Sequence, residues 1–290
     1  MFLRIFIGVY NLCIFLVFFP ANVALIWVIC KSRGLRKLWS YRIIANIALA
    51  DGLMLTTVLS AGLMSLLNSQ LPHGILKGIM ALIDCVANAE LILNFVLTTN
   101  RMLVMLQLSR FDKPSLYKVL LATAWSIGIA VLVMLATFLP LSPATYNLDQ
   151  HFFTQDVDNA YLMARFWLCC SVFALSALMC VVVVLKLTFQ RQKASSEDVR
   201  LFVQAVLPYV WLLIFELISN RQRMMQEVLG ATSSTIIFNV LGRSIPGFHF
   251  TVYMIFNRTL RREIMTLIGM KKKNRVKVIT FSRVTVVSTL

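Results

Sequence analysis

Glu90, Asn94, Thr98 and Arg101 recur every three or four residues through a run of apolar side chains, so on a helix they form one stripe. Asp84 and Asn88, earlier in the same run, form a second stripe roughly 100° around that helix. Other apolar runs carry Asn22 just after Pro20, then Asn46 and Asp51, and Glu216 near a segment end. The last run holds Asn239, Arg243, His249 and Tyr253 on one face, with Pro246 between them. Such groups are costly inside an apolar segment and usually serve function there. Counting about 1.5 Å per residue from the segment ends brings Asp51, Glu90 and His249 to one level, roughly 12–21 Å deep. Two carboxyls and an imidazole at one level call for a shared cation or a retained proton. The plainer alternative is a hydrogen-bonded polar plug that only fixes packing. Arg243 keeps its charge at any working pH. Asp84 is its natural partner and Glu216 the other candidate, unless Arg243 snorkels outward.

The elements that must position these residues follow from composition. Of 290 residues, 59% are hydrophobic and only 14% charged, against about 25% charged in soluble domains. Seven apolar segments stand out, at roughly 5–30, 41–67, 75–107, 117–140, 161–189, 199–219 and 233–257. Each approaches or exceeds the ~20 residues that a helix needs to cross the hydrocarbon. Lipid leaves no water for the backbone, so these segments are helices. The expected fold is an all-α membrane protein, a seven-transmembrane helix bundle. The first segment is too long for a signal peptide, and no small-residue cleavage site ends it.

The net charge is +16, yet nucleic acid is not the expected partner, because the cations sit in the gaps between apolar runs. Lys31, Arg33, Arg36, Lys37 and Arg42 follow the first segment, and Arg110, Lys113 and Lys118 the third. Lys186, Arg191, Lys193 and Arg200 follow the fifth, and Arg258, Arg261, Arg262, Lys271, Lys272, Lys273, Arg275, Lys277 and Arg283 lie in the C-terminal stretch. The long link 141–160 has no cation and carries Asp149, Asp156 and Asp158. The positive-inside rule then puts the N-terminus outside and the C-terminus in the cytosol. From Asn257 to about Met270, Arg258, Arg261 and Arg262 interleave with Leu260, Ile264 and Leu267, as in a short amphipathic helix lying on the inner leaflet. The expected division is 1–270 for the bundle with this helix and 271–290 for a basic cytosolic tail.

Several chemistries are missing. No P-loop, HExxH motif or Ser-His-Asp set occurs. His73, His151 and His249 are too scattered to bind a metal together. Neither metal, cofactor nor enzyme activity is expected. The six cysteines fall in or at the ends of apolar runs and read as small hydrophobes. The Asn257-Arg258-Thr259 sequon falls on the cytosolic side. No internal repeat speaks for a repeat-built transporter.

The chain resembles the rhodopsin-like G-protein-coupled receptors across nearly its whole length, and more narrowly the nematode chemosensory serpentine receptors of the SRX/SRT kind. Asn22, the segment NIALAD ending at Asp51, Asn100-Arg101-Met102, Trp125, Pro208 after Phe202, and Tyr253 followed by FNRTLR carry the resemblance. It departs from the family where His249 and Phe250 replace Asn-Pro and where the run Gln204-Ala205-Val206-Leu207 just before Pro208 holds no aromatic. The family's outer disulfide is also missing, since the third segment lacks the cysteine at its outer end and the 141–160 link has none.

The resemblance implies a chemosensory receptor in the plasma membrane, with sensory cilia as one setting. It would bind a small molecule or peptide outside and a heterotrimeric G protein inside. Asp84, Asn88, Asn239, Arg243 and Glu216 would line the ligand site, and Asn22, Asp51, Glu90, Asn94 and His249 would form a polar switch or ion site. Arg101 and Tyr253 would couple to the G protein, and Pro208 would be the hinge. The rival reading is an ion or proton-coupled transporter or channel, favoured by the carboxyl cluster. A retinal protein would need a lysine in the last segment, which has none.

The cation bias generates a direct test. A tag at Leu290 should be reached by antibody only after permeabilisation, and a tag in the 145–158 link on intact cells. Reversed labelling would overturn the orientation.

Overall fold

The computed structural model describes residues 2–108, 113–137, 145–148, 152–154, 159–189, 196–219, 222–267 and 269. The basic tail 271–290, the cations Arg110, Arg191 and Lys193, and the acids Asp149, Asp156 and Asp158 lie outside the described residues.

Among the described residues, seven long helices lie in the seven apolar segments: α1 (Phe2–Lys31), α3 (Trp39–Leu67), α4 (His73–Met105), α5 (Pro114–Thr137), α6 (Asn159–Phe189), α7 (Ser196–Ser219) and α9 (Ala231–Phe256). Short helices α2 (Arg33–Lys37), α8 (Gln222–Leu229) and α10 (Arg258–Leu267) lie between or after them. Strands β1 (Thr145–Asn147) and β2 (Phe152–Thr154) pair antiparallel, with Tyr146 opposite Phe153.

Six of the long helices are apolar and long enough to cross a membrane, and α9 falls short of them. Its polar residues explain the difference, and they turn inward: Asn239, His249 and Tyr253 are all buried. Leu16, Trp27, Val119, Leu178 and Val184 are exposed, as side chains facing lipid should be.

Local chemistry sets the ends. Pro114 opens α5, where a missing N–H costs nothing. Asn68 closes α3 in the left-handed region at φ 51°, a conformation asparagine tolerates. Asn257 caps α10: its Oδ1 accepts the Leu260 N–H at 3.0 Å and the Tyr41 hydroxyl at 3.2 Å. Pro20, Pro208 and Pro246 lie inside α1, α7 and α9, as membrane helices allow.

Packing makes α4 the hub. It meets α3, α5, α6 and α7, while α9 meets α1, α3 and α7. Hydrophobicity drives little association within lipid, so close backbone approach matters more. At Gly128 a Cβ would stand 2.6 Å from the Cys85 carbonyl oxygen of α4. Across the bundle, Trp125 Nε1 donates to Asn46 Oδ1 at 2.9 Å and ties α5 to α3.

The basic links gather at one end, called here the basic end. Lys186 at the end of α6 donates to the Leu106 carbonyl just past α4. Arg200 near the start of α7 donates to the Ile255 carbonyl in α9 at 3.3 Å. At the opposite, far end, Lys77 donates to the Ala136 carbonyl at 2.9 Å, joining α4 to α5.

The close approach at Gly128 predicts that Gly128→Ala destabilises the purified protein by about 1–3 kcal/mol, since a backbone carbonyl cannot step aside. Gly52→Ala is the control, because nothing lies within 4 Å of a Cβ there. Thermal unfolding in detergent should separate the two variants. Equal melting temperatures would show that the α4–α5 contact is not tight.

Candidate functional site

The three ionisable groups placed at one depth by counting along the helices do meet. His249 Nδ1 lies 2.9 and 3.2 Å from the two Asp51 oxygens. The same nitrogen lies 3.2 Å from Glu90 Oε1. The side chains of Asp51 and His249 are fully buried and that of Glu90 is 3% exposed, so no solvent screens them. One nitrogen facing two carboxyls cannot satisfy both as an ordinary donor, and His249 Nε2 makes no hydrogen bond. The three ligand atoms lie within 4.8 Å of one another. One imidazole and two carboxyls at that range can hold a shared proton or a small cation. Tyr253 stacks on His249 with ring centroids 6.4 Å apart.

The amides around this trio turn back on their own helices. Asn94 donates to the Glu90 carbonyl at 3.0 Å, and Thr98 to the Asn94 carbonyl at 3.0 Å. Asn22 donates to the Phe18 carbonyl at 3.0 Å. This i−4 back-bonding uses the donors and leaves acceptors over. The side-chain oxygens of Asn22, Asn94 and Asn239 are buried without a hydrogen bond. Towards the basic end, Arg101 is buried in α4, and Tyr253 of α9 lies within reach of its charge.

In the far half, the ion pair differs from expectation. Asp84 pairs with Arg165 of α6, not with Arg243: Arg165 Nη1 donates to Asp84 Oδ1 at 2.8 Å. Its Nη2 donates to Glu216 Oε1 of α7 at 3.1 Å. The rotation of α6 about its axis turns Arg165 inward between the two carboxylates, a feature no residue count along the chain reveals. The signal available in the sequence was a lone arginine several residues inside an apolar segment, where any charge needs a partner. Asn88 donates to the Asp84 carbonyl at 2.7 Å and stays beside the cluster. Asn239 is buried on α9, its amide given to the Thr235 carbonyl.

Arg243 lies instead near a residue that sequence reasoning passed over. Tyr146 of β1 is fully buried, with its hydroxyl 2.7 Å from Ser65 Oγ and donating to the Ala61 carbonyl at 3.2 Å. Gln70 Nε2 donates to its backbone carbonyl at 2.9 Å. Burial pushes the Tyr146 hydroxyl pKa up, while the Ser65 hydrogen bond and the Arg243 charge pull it down.

Around Pro208 the aromatics follow the proline instead of preceding it. Tyr209 packs on Phe173 of α6 at 4.6 Å between centroids, and Trp211 stacks on Phe248 of α9 at 4.7 Å. The helix segment beyond the proline is thereby gripped on both sides.

Removing one member of a buried pair leaves the other charge uncompensated. Arg165 is 26% exposed, so the cost is discounted to about 1–3 kcal/mol. Asp84→Asn and Arg165→Gln should each lower thermal stability by that amount, and the double variant by clearly less than their sum. Strict additivity in the cycle would show that the two side chains do not couple.

No protein-family model matches the chain, and no curated protein matches its sequence. The crystal structure of squid rhodopsin is similar to it at a TM-score of 0.78 and 10% sequence identity, with 92% of this chain and 85% of that chain covered. At that identity the likeness concerns the fold alone: the chain is a multi-pass membrane protein with the rhodopsin fold.

Proposed function

We propose that the chain is a G-protein-coupled receptor of the chemosensory kind, with its N-terminus outside and its basic end in the cytosol. The observation that carries this reading is the buried polar face of α4. It comprises two adjacent stripes, Asp84 and Asn88 in the far half and Glu90, Asn94, Thr98 and Arg101 towards the basic end, inside a rhodopsin fold. Function taken from fold is analogy, and the polar face is what gives it a physical route.

On this reading a small molecule or peptide enters the far half beside Asp84, Asn88, Glu216, Asn239 and Arg243. It favours one arrangement of α6 and α7 against α4 through its differential affinity. Pro208 is the hinge of α7. The Asp51–Glu90–His249 trio, with Asn22 and Asn94, relays the change towards Tyr253 and Arg101. A heterotrimeric G protein then docks at the basic end. Residues 1–270 form the receptor unit in the plasma membrane, sensory cilia being one setting, and 271–290 form a basic tail near anionic lipid.

One observation favours a second reading. Two carboxyls and an imidazole sharing a buried contact also suit an ion or proton-coupled transporter or channel. A proton or cation current on expression, lost with Glu90→Gln, would support that reading against the first.

The test of the receptor reading is signalling. Cells expressing the chain, challenged with an odorant, peptide and pheromone panel, should give a calcium or cAMP response. Arg101→Ala should abolish it and leave the protein at the surface. A full response from that variant would remove Arg101 from the mechanism.

A further inference from the structure

At the basic end, the starts of α3 and α5 meet around one aromatic pair. Trp39 opens α3 and Tyr117 lies in the first turn of α5, and their rings stack with centroids 5.6 Å apart. Arg42, in the first turn of α3, lays its guanidinium over the Trp39 ring, 4.5 Å from the centroid. Its Nε donates to the Arg36 carbonyl of α2 at 2.7 Å. The indole face and the carbonyl fix where this guanidinium points, and neither neutralises it. Holding so long a side chain in one place costs rotamer entropy, which a bound anion would offset.

More cations surround it. Arg36 and Lys37 end α2, Lys113 and Lys118 stand on either side of the first turn of α5, and all four are exposed. None of these four, nor Arg42, pairs with a carboxylate among the described residues. The first turns of α3 and α5 carry no acid. Beside the cations are two apolar side chains in the open, Leu38 at 54% exposure and Val119 at 62%. A soluble acidic partner has no use for such side chains, whereas acyl chains cover them.

We propose that this patch binds the phosphomonoester headgroup of an anionic lipid, with Arg42 as the oriented donor. A planar guanidinium fork matches two phosphate oxygens at once. A monoester carries close to two negative charges at neutral pH, and so answers several uncompensated cations better than a diester does. Trp39 sits where an interfacial ring belongs, at the level of the headgroups. The inference holds for a receptor and for a transporter alike, since it needs only a basic end that lies at a membrane surface.

The test is lipid affinity, measured by native mass spectrometry on the full-length protein in neutral detergent. Short-chain phosphatidic acid is the probe. Short-chain phosphatidylserine supplies a diester, and glycerol phosphate supplies the monoester without chains. Phosphatidic acid should bind about tenfold tighter than either comparison compound. Arg42→Gln should weaken it about tenfold, the worth of a charge-assisted contact. Arg42→Lys keeps the charge and loses the fork, so a loss of about threefold is expected. Arg262→Gln, which takes one exposed charge from α10 at the same end, should cost less than about twofold. Equal losses from Arg42→Gln and Arg262→Gln would reduce the patch to diffuse attraction and overturn the proposal. So would wild-type affinity in Arg42→Lys, or phosphatidylserine binding as tightly as phosphatidic acid. Glycerol phosphate binding as tightly as the lipid would mark a soluble-anion site, which also overturns it. Unchanged lipid affinity in Arg42→Gln, with weaker binding of a purified heterotrimeric G protein, would assign the patch to a protein partner instead. Should the Arg42 variants not accumulate, the double variant Lys37→Gln with Lys118→Gln decides, since both side chains are exposed. A loss of about fivefold supports the site, and unchanged affinity rules it out.

Discussion

A charged or strongly polar group in hydrocarbon must find its partner within the protein, and the contact of His249 with Asp51 and Glu90 is where this chain meets that demand most severely. Three helices are fixed by one imidazole nitrogen. Asp51 brings α3, Glu90 brings α4 and His249 brings α9. Unlike dispersion contacts, which tolerate sliding, this contact has one depth and one rotation for each helix. The Arg165 cluster imposes the same discipline on α4, α6 and α7. Only α4 takes part in both, which accounts for its being the most buried of the spanning helices.

The two clusters divide the bundle into levels. The arginine cluster is partly exposed in the far half. The imidazole cluster is sealed at mid-depth, and Tyr253 and Arg101 lie beyond it towards the basic end. Side chains between the levels give their amide donors to their own helices and keep buried oxygens in reserve. Such acceptors suit ordered water or a change of partner, because an unmet buried acceptor costs about 1–3 kcal/mol. A polar interior of this kind can exist in more than one arrangement, whereas a purely apolar one tends to a single packing.

Much of this was legible in the sequence, and the boundary has a physical cause. Seven segments, the polar stripe on α4 and the common depth of Asp51, Glu90 and His249 all follow from helical pitch and rise, which no neighbour alters. The partner of Asp84 was not legible, because the choice between Arg165 and Arg243 depends on how α6 and α9 rotate and tilt. For α9 these are constrained by close contacts such as Gly247 against Phe18 of α1 and Gly242 against Phe215 of α7. Tyr146 was invisible for a further reason. Nothing in a three-residue strand says that its side chain enters a bundle built from other parts of the chain. The weaker apolar character of α9 was readable in Asn239, Arg243 and His249, but its meaning needed their partners.

That weaker character bears on how the protein is assembled. Among the described residues, six helices have the length and apolar composition to cross a membrane. An arginine or other ion at the centre of a helix adds about 2.5–3.5 kcal/mol to the cost of that step. In α9 the imidazole of His249 meets Asp51 of α3 and Glu90 of α4, both of which precede it in the chain. The buried polar contacts of α9 are therefore completed only when α3 and α4 stand beside it. Loss of Asp51 or Glu90 would leave the α9 imidazole short of a partner in a helix that still carries Asn239 and Arg243.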